Sequence, residues 1–238
     1  MVSSVTESLE QAWLLMSERS ALSSSSPAQA LPLLAIGAGQ TLAISLLAIL
    51  FATLGGVAYG VLAQQGGRLT LGLLRVYLEL FRVVPVLVWL YLFFFGLPIF
   101  FGLDIPAFWC AVLVLALWGA SEVGEVVRGG LGSLARGQQE AGLALGLSTW
   151  QLYRHVLLPQ ALQRLTPPTI NIYTRIIKTS SLAVLIGVVE VIKVGQQIIE
   201  RTYASVLIYG LLFLFFFLVC YPLSLASRRL EQKWGNAV

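Results

Sequence analysis

Five long apolar stretches dominate the sequence, at residues 34–62, 71–100, 105–127, 165–189 and 206–227. About 20 apolar residues in a helix cross the hydrocarbon core of a bilayer, and each stretch is long enough. The second, third and fifth contain extended uninterrupted runs, whereas Arg175 and Lys178 interrupt the fourth. Little remains to cover a water-facing surface. Only 11% of the 238 residues are charged, against roughly 25% in soluble domains. A soluble globular enzyme is therefore excluded, and so is a disordered chain, which needs low hydrophobicity and high charge. An outer-membrane barrel alternates apolar and polar residues within each strand, and these runs do not alternate. The expected fold is all-α: a polytopic membrane protein with about five transmembrane helices.

The formal net charge of +4 requires no nucleic-acid partner, because the inner loops of membrane proteins concentrate Lys and Arg. An outside N-terminus places Arg68, Arg128, Arg136, Arg154, Arg164, Arg228, Arg229 and Lys233 inside, and only Arg19, Lys193 and Arg201 outside. The positive-inside rule thus predicts an outside N-terminus and a cytoplasmic C-terminus. Cys110 and Cys220 each lie within an apolar run and read as small buried hydrophobes. With His155 the only histidine, no metal centre is expected.

The chain divides into an N-terminal extracytoplasmic segment (1–30), a transmembrane domain (31–230) and a cytoplasmic tail (231–238). In the first segment Val5, Leu9, Trp13 and Met16 share one helical face, suiting a helix on the membrane surface; a frayed tail is the alternative. Within the domain, residues 129–164 form the one long polar stretch, on the cytoplasmic side. Its centre, 137–159, reads as two short helices with a sharp corner. Gly146 can adopt the left-handed conformation that closes the first. Ser148 caps the second, with Gln151 completing a capping box, and Pro159 is expected to end it near Leu158. Ala141, Gly142 and Ala144 keep the first helix slim, while Leu143, Leu145 and Leu147 supply apolar area. Insertion into a partner's groove and packing against the protein's own spans are equally compatible with this pattern.

These residues resemble a known family. Glu140-Ala141-Gly142, Gly146 and Leu157-Leu158-Pro159 are similar to the EAA loop of ABC importer permeases, the helix pair through which the ATPase subunit drives the membrane domain. Phe81-Arg82-Val83-Val84-Pro85 resembles the Phe-Arg-Gly-Thr-Pro element of the polar amino-acid permeases. Glu125, Arg128-Gly129-Gly130, Gly137-Gln138, Leu158-Pro159-Gln160-Ala161, Pro167-Pro168, Asn171, Lys178-Thr179-Ser180-Ser181-Leu182 and Glu190 match that family in order and spacing. The resemblance covers roughly residues 39–203. It implies a subunit paired with a second permease, identical or related, that takes a polar amino acid from an extracytoplasmic binding protein. Its home is the bacterial inner (plasma) membrane. ABC ATPase partners would dock on Gly137, Gln138, Glu140, Ala141, Gly142, Gly146, Leu158 and Pro159. Gly142, Val83, Val84 and Glu122 depart from the family pattern. No Gly-x-x-x-x-Gly-Lys-Ser/Thr sequence occurs, so the usual cradle for ATP phosphates is missing. The chain is expected not to be an enzyme and to hold no cofactor; ATP and Mg belong to the partner ATPase.

Ionisable residues inside spans are costly and mark functional sites. Glu79 with Arg82, and Glu125 with Arg128, are spaced for i,i+3 ion pairs. Arg175 and Lys178 share a face of the fourth span. An amino acid needs a cation for its carboxylate and an anion or carbonyl for its ammonium. Glu122, Glu125, Arg82, Arg175, Lys178, Thr179, Ser180 and Ser181 are the candidates for a substrate path, with a Glu122–Lys178 packing pair as the alternative for those two. Glu190 is the candidate for an outer gate, a solvated loop being the competing reading. The rival function is an ion-coupled secondary transporter of amino acids or other small polar solutes. Such proteins usually carry internal repeats, and none is legible here.

Overall fold

The computed structural model describes residues 30–134 and 136–235, which form helices and short connections, with no strand among them. The reading of the N-terminal segment as a surface helix concerns residues 1–29, outside this range. Three helices are long and apolar enough to cross a membrane: α1 (Ala30–Gln65), α4 (Ala107–Gly132) and α9 (Ser205–Gly235). Two bent helix pairs bring the total to five when each is taken as one span.

The first pair is α2 (Arg68–Val83) and α3 (Val86–Phe101), the latter containing a π-helical turn at Leu92–Gly96. The second apolar stretch, 71–100, suggested one span; the structure instead breaks it by 104°. Proline disfavours helical geometry in the residue before it, and Val84 is extended (φ −83°, ψ 127°) just ahead of Pro85. Phe81 and Trp89 stack across the corner, with ring centroids 4.6 Å apart.

α4 is the central helix and the most buried of the three long ones. Glycines let α1 lie directly against it. A Cβ on Gly56 would come within 2.6 Å of Val123, and one on Gly60 within 2.4 Å of Val127. Gly56 and Gly60, four residues apart on α1, thus form a helix contact built on backbone proximity. Ile44, Ala48 and Ala52 of α1 join Val112, Leu115 and Val123 of α4 in the main core.

The second bent pair begins at the polar stretch. After α5 (Arg136–Ala144), a short helix α6 (Thr149–Leu152) passes through a π turn (Tyr153–Leu157) into α7 (Leu158–Thr179) and a 3-10 segment (Ser180–Ile186). The expected stop at Pro159 does not occur; the helix runs continuously over Trp150–Ile186. Pro159 instead lies inside this run, just after the π turn, where the changed hydrogen-bond pattern accommodates a residue with no N–H to donate. The π turn immediately before it widens the helix where the ring would otherwise meet the His155 carbonyl. Gly187 then turns the chain with φ +87°, and α8 (Val191–Thr202) departs at 55°. Leu34 of α1, Val191, Val194 and Ile198 of α8, and Ile208 and Leu212 of α9 form a second, smaller core.

Candidate functional site

The corner between α5 and α6 forms as the sequence predicts. Gly146 is left-handed at φ +77°. Its N–H donates to the Leu143 carbonyl at 3.0 Å, and the Leu147 N–H donates to the Gly142 carbonyl at 3.2 Å. This paired arrangement closes a helix at glycine. The Gln151 N–H donates to Ser148 Oγ at 3.3 Å, and the Ser148 N–H donates to Gln151 Oε1 at 2.9 Å, completing the capping box. Both ends of the corner are thus fixed by local hydrogen bonds.

Most of the candidate docking residues face outward. Gly137, Gln138, Glu140, Ala141, Gly146, Leu158 and Pro159 are exposed, and Gln160 Nε2 donates to Gln138 Oε1 at 3.4 Å across the hairpin. Gly142 is the exception. It is buried, and a Cβ there would approach Leu152 Cδ1 to 2.4 Å. The departure from alanine at this position therefore lets the two short helices close on each other. Leu145 is 82% exposed and Trp150 71% exposed, so the corner presents bare apolar area. Trp150 escaped the sequence reading; the available signal was a large aromatic just inside a capped helix on an otherwise polar segment. Arg164 Nη1 donates to the Ser133 carbonyl at 2.6 Å and to Ser133 Oγ at 3.0 Å, tying α7 to the turn after α4.

The charges within the apolar helices are arranged selectively. Arg128 holds Glu125 in two hydrogen bonds, at 2.7 and 3.0 Å, as the i,i+3 spacing predicts. No ion pair joins Glu79 to Arg82 among the described residues; Arg82 is exposed on α2. Glu122 is paired with Arg175 at 2.7 Å, not with Lys178, and the Arg175 guanidinium lies 5.1 Å from the Trp118 ring centroid. Residues 175 and 178 share a face of α7, yet Arg175 leans toward α4 while Lys178 lines a groove against α8 and α9.

The neighbouring hydroxyls have separate duties. Ser180 is buried, donates to the Ile177 carbonyl and accepts from Ser45 Oγ of α1 at 3.0 Å. Ser181 donates to the Lys178 carbonyl at 2.7 Å, and Thr179 is half-buried. Glu190 is neither exposed nor on a solvated loop. It is 0% exposed and caps α8 by accepting from the Lys193 N–H at 3.0 Å, while Thr41 Oγ1 of α1 donates to its Oε2 at 3.1 Å. No group of three or more His, Cys, Asp or Glu among the described residues is placed to hold a metal.

Helices long and apolar enough to cross a membrane, two of them joined by a charged pair, are the pattern of a polytopic membrane protein. The chain belongs to the family described as the binding-protein-dependent transport system inner membrane component, whose model matches residues 56–235. It is 36% identical over 205 residues to the Glutamine transport system permease protein GlnP of Escherichia coli, covering 86% of this chain and 94% of that one. It is 30% identical over 210 residues to the Probable amino-acid ABC transporter permease protein YckA of Bacillus subtilis, covering 88% and 92%. A crystal structure of an amino acid ABC transporter with histidines superposes with a TM-score of 0.73 at 29% identity, covering 83% of this chain and 94% of that one. The fold is also that of the MetNI methionine ABC transporter in inward-facing conformations, with a TM-score of 0.67 at 20% identity over 88% and 99%.

Proposed function

We propose that this chain is the permease subunit of an ATP-driven importer of polar amino acids in a bacterial inner membrane. A binding protein delivers the solute outside, two permease subunits, identical or related, enclose its path, and separate ATPase subunits supply the work through alternating access. The N-terminus is then outside and the α5–α6 corner cytoplasmic, the arrangement that the positive-inside rule favours. Amino-acid permeases among the relatives support the substrate class.

The observation that carries this reading is mechanical. The exposed corner with Leu145 and Trp150 leads, without a break, into the helix Trp150–Ile186 that bears Arg175 and Lys178. A partner gripping the corner therefore moves one end of a helix whose middle carries charge inside the membrane. Such charges face a bundle interior or a water-filled cavity, so Arg82, Glu122, Glu125, Arg175 and Lys178 are assigned to the path or its supports. Thr179, Ser180 and Ser181 line or brace the same end of α7. Glu190 stabilises the outer end of that path by fixing α8 to α1.

Co-expression with the cognate ATPase subunit and purification of the complex tests this. The complex should hydrolyse ATP faster when loaded binding protein is added, and Glu140→Arg or Gly146→Leu should lose the ATPase from the complex. Robust uptake by this chain alone, indifferent to ATP, would refute the proposal.

A further inference from the structure

The two ion pairs inside the spans are satisfied to different degrees. Arg128 engages both oxygens of Glu125 through two of its nitrogens, within one helix. Arg175 and Glu122 join two helices through a single hydrogen bond, Nη1 to Oε2. Among the described residues, Oε1 of Glu122 and Nε and Nη2 of Arg175 have no hydrogen-bond partner. The buried Trp118 ring centroid lies 5.1 Å from the guanidinium carbon, a cation–π contact that steadies the cation without using an N–H. The Arg175 side chain is still 50% exposed and that of Glu122 21%. Ionised groups inside a span face a bundle interior or a water-filled cavity, not lipid, so on the importer reading the open side of this pair looks onto the path. Neither residue belongs to the stretches that match the family in order and spacing. The pair can therefore carry a preference that the relatives do not share.

Resting on the importer reading, we infer that the Glu122–Arg175 pair reads the solute's side chain, accepting a neutral carboxamide and rejecting a carboxylate or a cation. A carboxamide carries an acceptor oxygen and a donor nitrogen on one carbon. Its oxygen accepts from a free Arg175 N–H while its NH2 donates to Glu122 Oε1, and both bonds form with the pair intact. Each has one ionised partner and is therefore stronger than a bond between neutral groups. A carboxylate in the same place gains Arg175 but sits against Glu122. An ammonium or guanidinium gains Glu122 but sits against Arg175. Either charged group must break the pair or accept a like charge beside it, and rejection by a like charge is an effective route to specificity. An apolar side chain forms neither bond.

The test uses the permease–ATPase complex without its binding protein, in nanodiscs of neutral phospholipid. It is titrated separately with glutamine, glutamate, arginine and methionine, the last an apolar side chain of similar length. Glutamine should bind about tenfold more tightly than each of the others, the worth of one charge-assisted hydrogen bond. Glu122→Gln leaves Arg175 unmatched and should move the preference toward glutamate. Arg175→Gln leaves Glu122 unmatched and should move it toward arginine. A pair that only braces α4 against α7 would instead weaken all four ligands alike in both variants. That outcome, an unmoved preference in the folded variants, or any of the other three binding the wild-type complex as tightly as glutamine would overturn the inference. So would the absence of saturable binding of all four. If one variant does not assemble, the wild-type order and the other variant decide. The importer reading fails separately, when loaded binding protein does not stimulate ATP hydrolysis by the wild-type complex.

Discussion

Arg175 Nη1 donates to Glu122 Oε2 across 2.7 Å, joining α7 to α4 at a level where both helices are otherwise largely apolar. The pair is half open, with the Arg175 side chain 50% and the Glu122 side chain 21% exposed. α7 continues from the α5–α6 corner, so the corner and this pair lie on one continuous helix. Disruption of the pair separates two effects, a small loss of packing and a larger change in local charge.

Glu122→Gln should lower the thermal midpoint of the purified protein more than the double substitution Glu122→Gln with Arg175→Gln. The single change strands a cation beside Trp118, whereas the double change removes both charges together. A coupling of about 0.5–1 kcal/mol is expected for a partly exposed pair. Midpoint shifts of Glu122→Gln and Arg175→Gln that add up to that of the double would show that the two side chains do not interact.

Glycine positions give a contrast within one molecule. Gly60→Val places carbon atoms where Val127 already stands, 2.4 Å from an added Cβ, and overpacking of this kind typically costs about 1–3 kcal/mol. Gly72 lies mid-helix in α2 with nothing within 4 Å of an added Cβ. Gly72→Ala should therefore stabilise, by roughly 0.5–1 kcal/mol of helix propensity. Thermal unfolding of the two variants side by side checks both signs.

Local chemistry was legible in the sequence; relations between helices were not. Gly146, Ser148 and Gln151 define the corner because each acts on backbone groups within three or four residues. Glu125 and Arg128 pair for the same reason. Pro159 misled because a proline need not end a helix: here it follows a π turn, and Pro167 and Pro168 also lie inside α7. The extended Val84 ahead of Pro85 accompanies the 104° break, but the stacking of Phe81 on Trp89 across it is a contact that no local pattern reveals. The choice of Arg175 over Lys178 as the partner of Glu122 is set by the packing of α7 against α4, which no spacing within one segment reveals. The burial of Glu190 likewise follows from α1 approaching through Thr41, distant in sequence.

The corner should lose its partner when its bare apolar area is removed. Leu145→Ser and Trp150→Ser leave the backbone hydrogen bonds of Gly146 and Ser148 intact, so the corner itself persists. Co-purification of the ATPase should fall severalfold in each and further in the double variant. Gly146→Ala acts differently, by imposing roughly 1–2 kcal/mol of strain on a left-handed residue. It should weaken docking without removing any contact atom. Undiminished ATPase recovery from the Leu145→Ser, Trp150→Ser double variant would place the docking surface elsewhere.

Glu190 offers the sharpest distinction between shape and charge. Its carboxylate accepts from the Lys193 N–H and from Thr41 Oγ1, and the Val191 N–H donates to the same Thr41 oxygen at 3.2 Å. Thr41's single hydroxyl proton is shared between Glu190 and the Gly37 carbonyl, also 3.1 Å away. Glu190→Ala removes the cap of α8 at the Lys193 N–H, a loss of about 0.5–2 kcal/mol, while Thr41 keeps its contacts with Gly37 and the Val191 N–H. In Glu190→Gln the amide oxygen still caps Lys193, while its NH2 donates to Thr41 Oγ1 and Thr41 keeps Gly37. The glutamine variant should therefore retain most of the thermal stability that alanine loses. If Gln and Ala lower the midpoint equally, the negative charge of Glu190, and not its hydrogen-bonding shape, holds α8 to α1.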